Sequence, residues 1–224
     1  PSVLFPTGND ELSEVTVGRV FDNINGLGLS KRMRYDTPSY AGFMASLSIS
    51  RAGPADAALR YSGKVGDAKV VAAIGYADRD PEKLFDVFLR EKDAQINGRT
   101  EIDFLLNGSA SVLFENGFNL TAAWGGIQFV KARRNEPRYA YGKIGYKSHL
   151  FGFGHTAISA DSYINQNFQD DRDGWMAPGL QLAQNIDAWN LEAYLGMRHY
   201  FPYLPTGRNF QNISVGMLGA RWIF

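Results

Sequence analysis

Apolar and polar residues alternate along most of this chain with a period of two. In the stretch Gly216 to Phe224, Leu218, Ala220, Trp222 and Phe224 fall on one face, Gly219 and Arg221 on the other. Strand side chains point to opposite faces in turn, so one charge opposite an apolar-aromatic stripe describes a strand with a greasy and a polar side. Trp189, Leu191, Ala193, Leu195 and Met197 repeat the pattern against Asn190, Glu192, Tyr194, Gly196 and Arg198. Phe118 to Trp124, Ile102 to Asn107, Phe43 to Ser50 and Ala57 to Ser62 do the same. A helix would set neighbours about 100° apart and blur the alternation.

The pattern predicts about eleven strands, over 32–37, 42–51, 56–64, 68–78, 101–114, 118–130, 138–147, 150–162, 175–184, 188–200 and 212–224. Alternate joints are short: Thr37 to Ala41, Gly66-Asp67, Glu115 to Gly117, Ser148-His149 and Ile186-Asp187. Most of those between are longer and polar, the longest running from Ala77 to Thr100. Short turns at one rim and long loops at the other mark a transmembrane barrel, and a soluble sandwich has no reason to sort its loops this way. Tyr35, Tyr40, Phe43, Tyr61, Tyr76, Phe114, Phe118, Tyr146, Trp189, Trp222 and Phe224 gather near strand ends, where amphipathic rings meet lipid headgroups. The expected fold is therefore all-β, a transmembrane antiparallel β-barrel. An odd antiparallel run begins and ends on opposite sides of the membrane and does not close in the usual way. Either Glu14 to Phe21 supplies a further strand, giving a barrel of about twelve, or strands are missing on the N-terminal side.

Composition narrows the function classes. The 224 residues carry 23 Lys+Arg against 23 Asp+Glu, a net charge of zero, so nucleic acid, which calls for a basic face, is not an expected partner. Cysteine is absent, which removes disulfide and thiolate chemistry. No window approaches the roughly 18 apolar residues of a spanning helix, but a barrel strand needs only about 9–11. No basic, apolar leader opens the chain, so any signal peptide is expected to have been removed or to lie outside it.

Arg32-Met33-Arg34-Tyr35-Asp36-Thr37-Pro38-Ser39-Tyr40-Ala41-Gly42-Phe43 resembles the arginine-rich RVRYDSPSFAGF segment of Gram-negative general diffusion porins. Val15 to Asn23, Gly26 to Ser30, Ala57 to Gly63, Val71 to Asp78, Gln184 to Trp189 and Gly219 to Phe224 are similar to porins of the alphaproteobacterial type, so the resemblance runs from about residue 12 onward. It implies a barrel of sixteen strands in which the arginine-rich strand is the sixth. The eleven strands would then be strands six to sixteen. Residues 1–31 would be a constriction-loop region leading into the barrel, and 32–224 the barrel strands. The resemblance implies passive diffusion of small hydrophilic solutes and ions, a homotrimer, contact with outer-membrane lipid and lipopolysaccharide, and an outer-membrane location. No cofactor and no enzymatic activity are expected on this reading.

Alternation places Arg32, Arg34 and Asp36 opposite Met33 and Tyr35, and the same argument sends Arg60 and Lys64 inward. The resemblance implies that such basic residues face acidic ones on the constriction loop, for which Glu11 and Glu14 are candidates beside Asp10 and Asp22. Asp103, Lys143, Glu192, Arg198 and Arg221 also fall on inward faces and read as solvated residues. A ring of such charges tunes ion selectivity. Asp170, Asp171 and Asp173 form a carboxylate cluster that Ca2+ could bridge to lipopolysaccharide, with a solvated turn as the plainer reading; the spaced ligands of an EF-hand are missing. His155, Ser159 and Asp161 share one inward face and invite a barrel-embedded hydrolase as an alternative. Residues four apart on a strand are about 13 Å apart, so any nucleophile–base contact must come from a neighbouring strand. A smaller, substrate-selective channel of about twelve strands is the other alternative.

Overall fold

The computed structural model describes residues 3–8, 11–24, 31–50, 55–78, 102–129, 135–169, 171–204 and 210–222. The N-terminal part is a small unit in which β1 (Leu4–Pro6) pairs antiparallel with β2 (Leu12–Thr16), followed by a single turn of helix, α1 (Val17–Val20). The passable alternation over Glu14 to Phe21 therefore does not make a further barrel strand. It bends into a helix once Thr16 caps the turn, its hydroxyl accepting from the Arg19 N–H at 3.1 Å.

The rest is one antiparallel sheet of 11 strands in chain order. Its members are β3 (Arg32–Asp36), β4 (Phe43–Ser50), β5 (Ala55–Val65), β6 (Ala68–Asp78), β7 (Ile102–Leu113), β8 (Phe118–Phe129) and β9 (Arg138–Phe151). They continue through β10 (Gly154–Gln166), β11 (Gly174–Ile186), β12 (Leu191–Leu204) and β13 (Ile213–Trp222). Each strand follows a predicted segment closely. The turn expected at Ser148-His149 lies at Gly152-Phe153 instead. A slip of four residues is even, so every side chain keeps its face. The joint after β11 is a short 3-10 turn, Asp187–Trp189, closed by Asn190 in the left-handed region at φ 48°. The terminal Phe224, Asp170 and the long joint at 79–101 lie outside the described residues.

Register continues the faces from strand to strand. Ser48, Asp56 and Ala77 are linked in one row, as are Ser46, Ala58 and Gly75. The opposite face exposes Leu47, Leu59, Ile74, Leu120, Trp124, Ile144, Ile158, Leu180, Leu195 and Leu218, the last at 81 %. A row of large apolar groups open on one side only is a surface for hydrocarbon. Aromatic pairs decorate that face at the short-turn rim, Phe43 against Tyr61 and Phe118 against Tyr146, each with centroids 4.8 Å apart. One irregularity departs from expectation. A register shift between Ile102 and Phe104 turns Ile102 into the interior cluster, 4 % exposed, and leaves Asp103 exposed.

The sheet is strongly curved. β7 and β10 are three strands apart in the sheet order, about 14 Å on a flat sheet. Yet Asn107 and Tyr163 both reach the short run Asp22–Ile24. The buried side chains Leu105, Ile127, Phe129, Tyr139, Tyr163 and Ala177 close around Ile24 in one cluster. This concave side holds the N-terminal unit.

The two faces make a test by substitution. Leu195→Arg, on the apolar face, is expected to destabilise the folded barrel by about 2–4 kcal/mol if that face meets the bilayer interior. Met217→Arg, on the concave face one strand away, is expected to change it by no more than about 0.5 kcal/mol. Urea unfolding in lipid vesicles, followed by heat-modifiable migration, measures both; equal costs would sink the assignment of faces.

Candidate functional site on the concave face

Three groups of side chains occupy the concave face. The first lies on β3 to β5. Arg32 Nη1 meets Asp56 Oδ2 at 3.2 Å, and Arg34 Nε donates to Asp36 Oδ1 at 2.9 Å. Ser46 donates its hydroxyl to Asp36 and accepts from Arg60, whose guanidinium stands 4.0 Å from the same carboxylate. Arg32, Arg34 and Arg60 thus share a face, as alternation implies. The carboxylates that meet them are Asp36 on the same strand and Asp56 two strands away. Glu11 and Glu14, on the N-terminal unit, are exposed. Lys64 is exposed at the turn end of β5, in register with Lys69. Asp56 is missing from the candidates read off the sequence, although period two already puts it on the face of Arg60.

The second group crosses β10, β11 and β12. The Asp161 carboxylate is fully buried and takes a hydrogen bond from Arg198 Nη2 and another, at 2.9 Å, from Gln181 Nε2. Arg198 Nη1 donates to the Ala177 carbonyl at 3.1 Å. The guanidinium lies over Gly179, where an added Cβ would come within 2.9 Å of Nη2. A buried charge pair persists only when its remaining donors and acceptors are engaged, and here the Gln181 amide and the Ala177 carbonyl supply two of those partners.

The third group seats the N-terminal unit. A helix end leaves carbonyls without partners, and wall side chains supply them. Asn165 Nδ2 donates to the Val20 carbonyl, Tyr163 Oη to the Asp22 carbonyl, and Asn107 Nδ2 to the Ile24 carbonyl at 3.1 Å. Phe5 packs on Trp175 and Phe210 at 4.7 and 6.1 Å between ring centroids, with Phe5 and Trp175 at 0 % exposure. Trp175 Nε1 in turn donates to Asp173 at 3.0 Å, and Asp173 also accepts from the Phe168 and Gln169 N–H groups. Asp171 accepts from the Asn135 N–H at 2.9 Å. Among the described residues no group of three or more His, Asp or Glu side chains is placed to hold a metal ion.

His155, Ser159 and Asp161 share the concave face, but they do not meet. Asp161 is engaged by Arg198 and Gln181, and the His155 ring packs on His149 with centroids 3.6 Å apart. Between the seated unit and the wall remains a cleft of about 560 Å³, bordered by Phe21, Tyr141, Tyr200, Arg198, Asn107 and Ser109 among others.

No protein-family model matches the sequence, and no curated protein matches it. Among solved structures the chain is similar to OmpTΔL8, a loop L8 deletion mutant of OmpT, an outer membrane protein of Vibrio cholerae. The TM-score is 0.54 and the identity 11 %, over 85 % of this chain and 62 % of that one. The chain thus spans less than two thirds of the protein it matches. What the two share is the fold, that of an outer-membrane β-barrel. One expectation is corrected by this likeness. The porin resemblance leads to the expectation of no enzymatic activity, but the fold is shared with OmpT, an outer membrane protein, and that likeness does not support the expectation. It does not stand.

Asp22 gives the seating a pH dependence. Burial pushes its carboxyl above the ordinary value of 3.8, and the hydrogen bond from the Ile24 N–H opposes this only in part. A group raised in the seated state favours seating when protonated. That contribution is complete below 3.8 and is lost as pH rises through the raised value. Tryptic cleavage after Arg19 is therefore expected to slow as pH falls from neutral, after correction for the protease's own profile. Asp22→Asn should remove the dependence; an unchanged profile in that variant would refute the assignment.

Proposed function

We propose that the chain forms the wall and the folded-in constriction of a water-filled channel for passive diffusion of small hydrophilic solutes and ions. The observation that carries this reading is the N-terminal unit. It is tethered to the concave face through Asn107, Tyr163 and Asn165, so it narrows the interior while an open cleft remains beside it. Arginines on the same face, each fixed by a carboxylate, supply fixed charge along the path, as selectivity requires. In this reading the apolar face meets lipid, the long-loop rim meets lipopolysaccharide, and three copies assemble as a homotrimer.

Planar-bilayer recording tests it. The purified protein should give ohmic conductance with no ligand added. Arg34→Glu combined with Arg60→Glu should raise the cation-to-anion permeability ratio several-fold, read from the reversal potential in a KCl gradient. Absence of conductance, or ester or peptide turnover abolished by His155→Ala, would replace the channel with the barrel-hydrolase reading.

A further inference from the structure

We infer that the cleft beside α1 is a binding subsite for a neutral, ring-shaped polyhydroxy solute of the mono- or disaccharide class. A barrel interior is ordinarily polar, yet here aromatic rings run in unbroken contact across it. Tyr139 stacks on Tyr163 at 5.3 Å and 8°; Phe21 meets Tyr163 at 5.4 Å and Tyr200 at 5.1 Å. Tyr139 and Tyr163 are buried and seat the N-terminal unit. Tyr141 and Tyr200 are half-buried and border open space. A ring face carries partial negative charge, and the C–H faces of a sugar ring are the complementary surface.

The polar lining fits hydroxyl groups. Asn107, Ser109 and Thr121 border the same cleft, and amide and hydroxyl side chains both donate and accept. Charge selects against ions. Arg198, the charged side chain that borders the cleft, is matched by Asp161. An anion would have to displace Arg198 from a fully buried carboxylate. The volume, about 560 Å³, lies within the range of small-molecule sites.

Any consequence for transport rests on the channel reading; binding rests on the cleft alone. Isothermal titration of the purified protein in detergent, with sucrose, mannitol and citrate as probes, separates the classes. Saturable sucrose binding is expected, with the acyclic polyol and the anion each about tenfold weaker. Tyr141→Leu and Tyr200→Leu should each weaken sucrose binding by about three- to tenfold, while Tyr141→Phe, which keeps the ring face, should stay close to the parent. Only dilution heat with sucrose, equal or tighter binding of mannitol or citrate, or parent-like binding in both leucine variants would overturn the inference. If the leucine variants do not fold, the sucrose–mannitol comparison in the unaltered protein decides alone. Sucrose binding without conductance would keep the subsite and sink the channel. Conductance without sucrose binding would do the reverse.

Discussion

Within hydrocarbon a backbone N–H or C=O finds no water, so every such group must be paired inside the protein. The rest of this molecule follows from that constraint. It makes the chain a ladder of neighbouring antiparallel strands, each bonded to the next in sequence order. A strand in that ladder has one face for lipid and one for the interior, which is why the apolar stripe is so regular. The same constraint reaches the interior. The N-terminal unit carries the Val20, Asp22 and Ile24 carbonyls into the barrel, and Asn165, Tyr163 and Asn107 provide donors for them. Among the described residues β3 and β13 pair on one side only, and in a membrane those edges too need partners.

The concave face is divided by chemistry. From β3 to β6 it carries arginines, aspartates and lysines among serines, alanines and a glycine, small or solvated groups that leave room. From β9 to β12 it is built of Tyr139, Tyr141, Tyr163, Asn165, Trp175 and Tyr200, large rings with polar tips. The N-terminal unit lies largely against the second half, where Phe5, Phe21 and Val20 pack and the Val20 and Asp22 carbonyls gain partners, and it reaches Asn107 on β7 through the Ile24 carbonyl. Gly125 and Gly179 permit this. A Cβ on Gly125 would come within 2.6 Å of the Tyr139 ring, and Gly179 leaves space for the Arg198 guanidinium. Glycine beneath a cross-strand ring lets that ring lie flat on the sheet.

The strands were legible because lipid and interior differ so sharply that the face of each residue is written into its polarity. The four-residue displacement of the turn at Gly152-Phe153 did no harm for the same reason. What was not legible depends on partners rather than on faces. Asp161 and Arg198 were each placed inward, one as part of a hydrolase triad and one as a solvated charge. Their meeting depends on the registers of β10, β11 and β12, which alternation does not specify. Val17–Val20 alternates well enough for a strand and is helical because it sits outside the ladder. Ile102 is inward only through a register shift that no residue type announces. The enzyme question is of the same kind, since a barrel's alternation says nothing about what its interior does.

Counting charge on the concave face shows which physical effect can discriminate between solutes. Among the described residues Arg32, Arg34 and Arg60 face Asp36 and Asp56, one positive charge in excess within that group; Arg198 and Arg221 are each paired, with Asp161 and Glu192, and Lys64, Lys69 and Lys143 lie elsewhere on the same face. Each such charge acts over about 8 Å in physiological salt, somewhat further against a low-dielectric wall. That is too little to exclude either sign of ion from a wide interior. The arginines are also paired with carboxylates, which offsets part of their charge. Electrostatics on this face therefore sets a mild bias. Finer discrimination must come from shape and surface, and the place where shape closes down and rings are exposed together is the cleft beside α1.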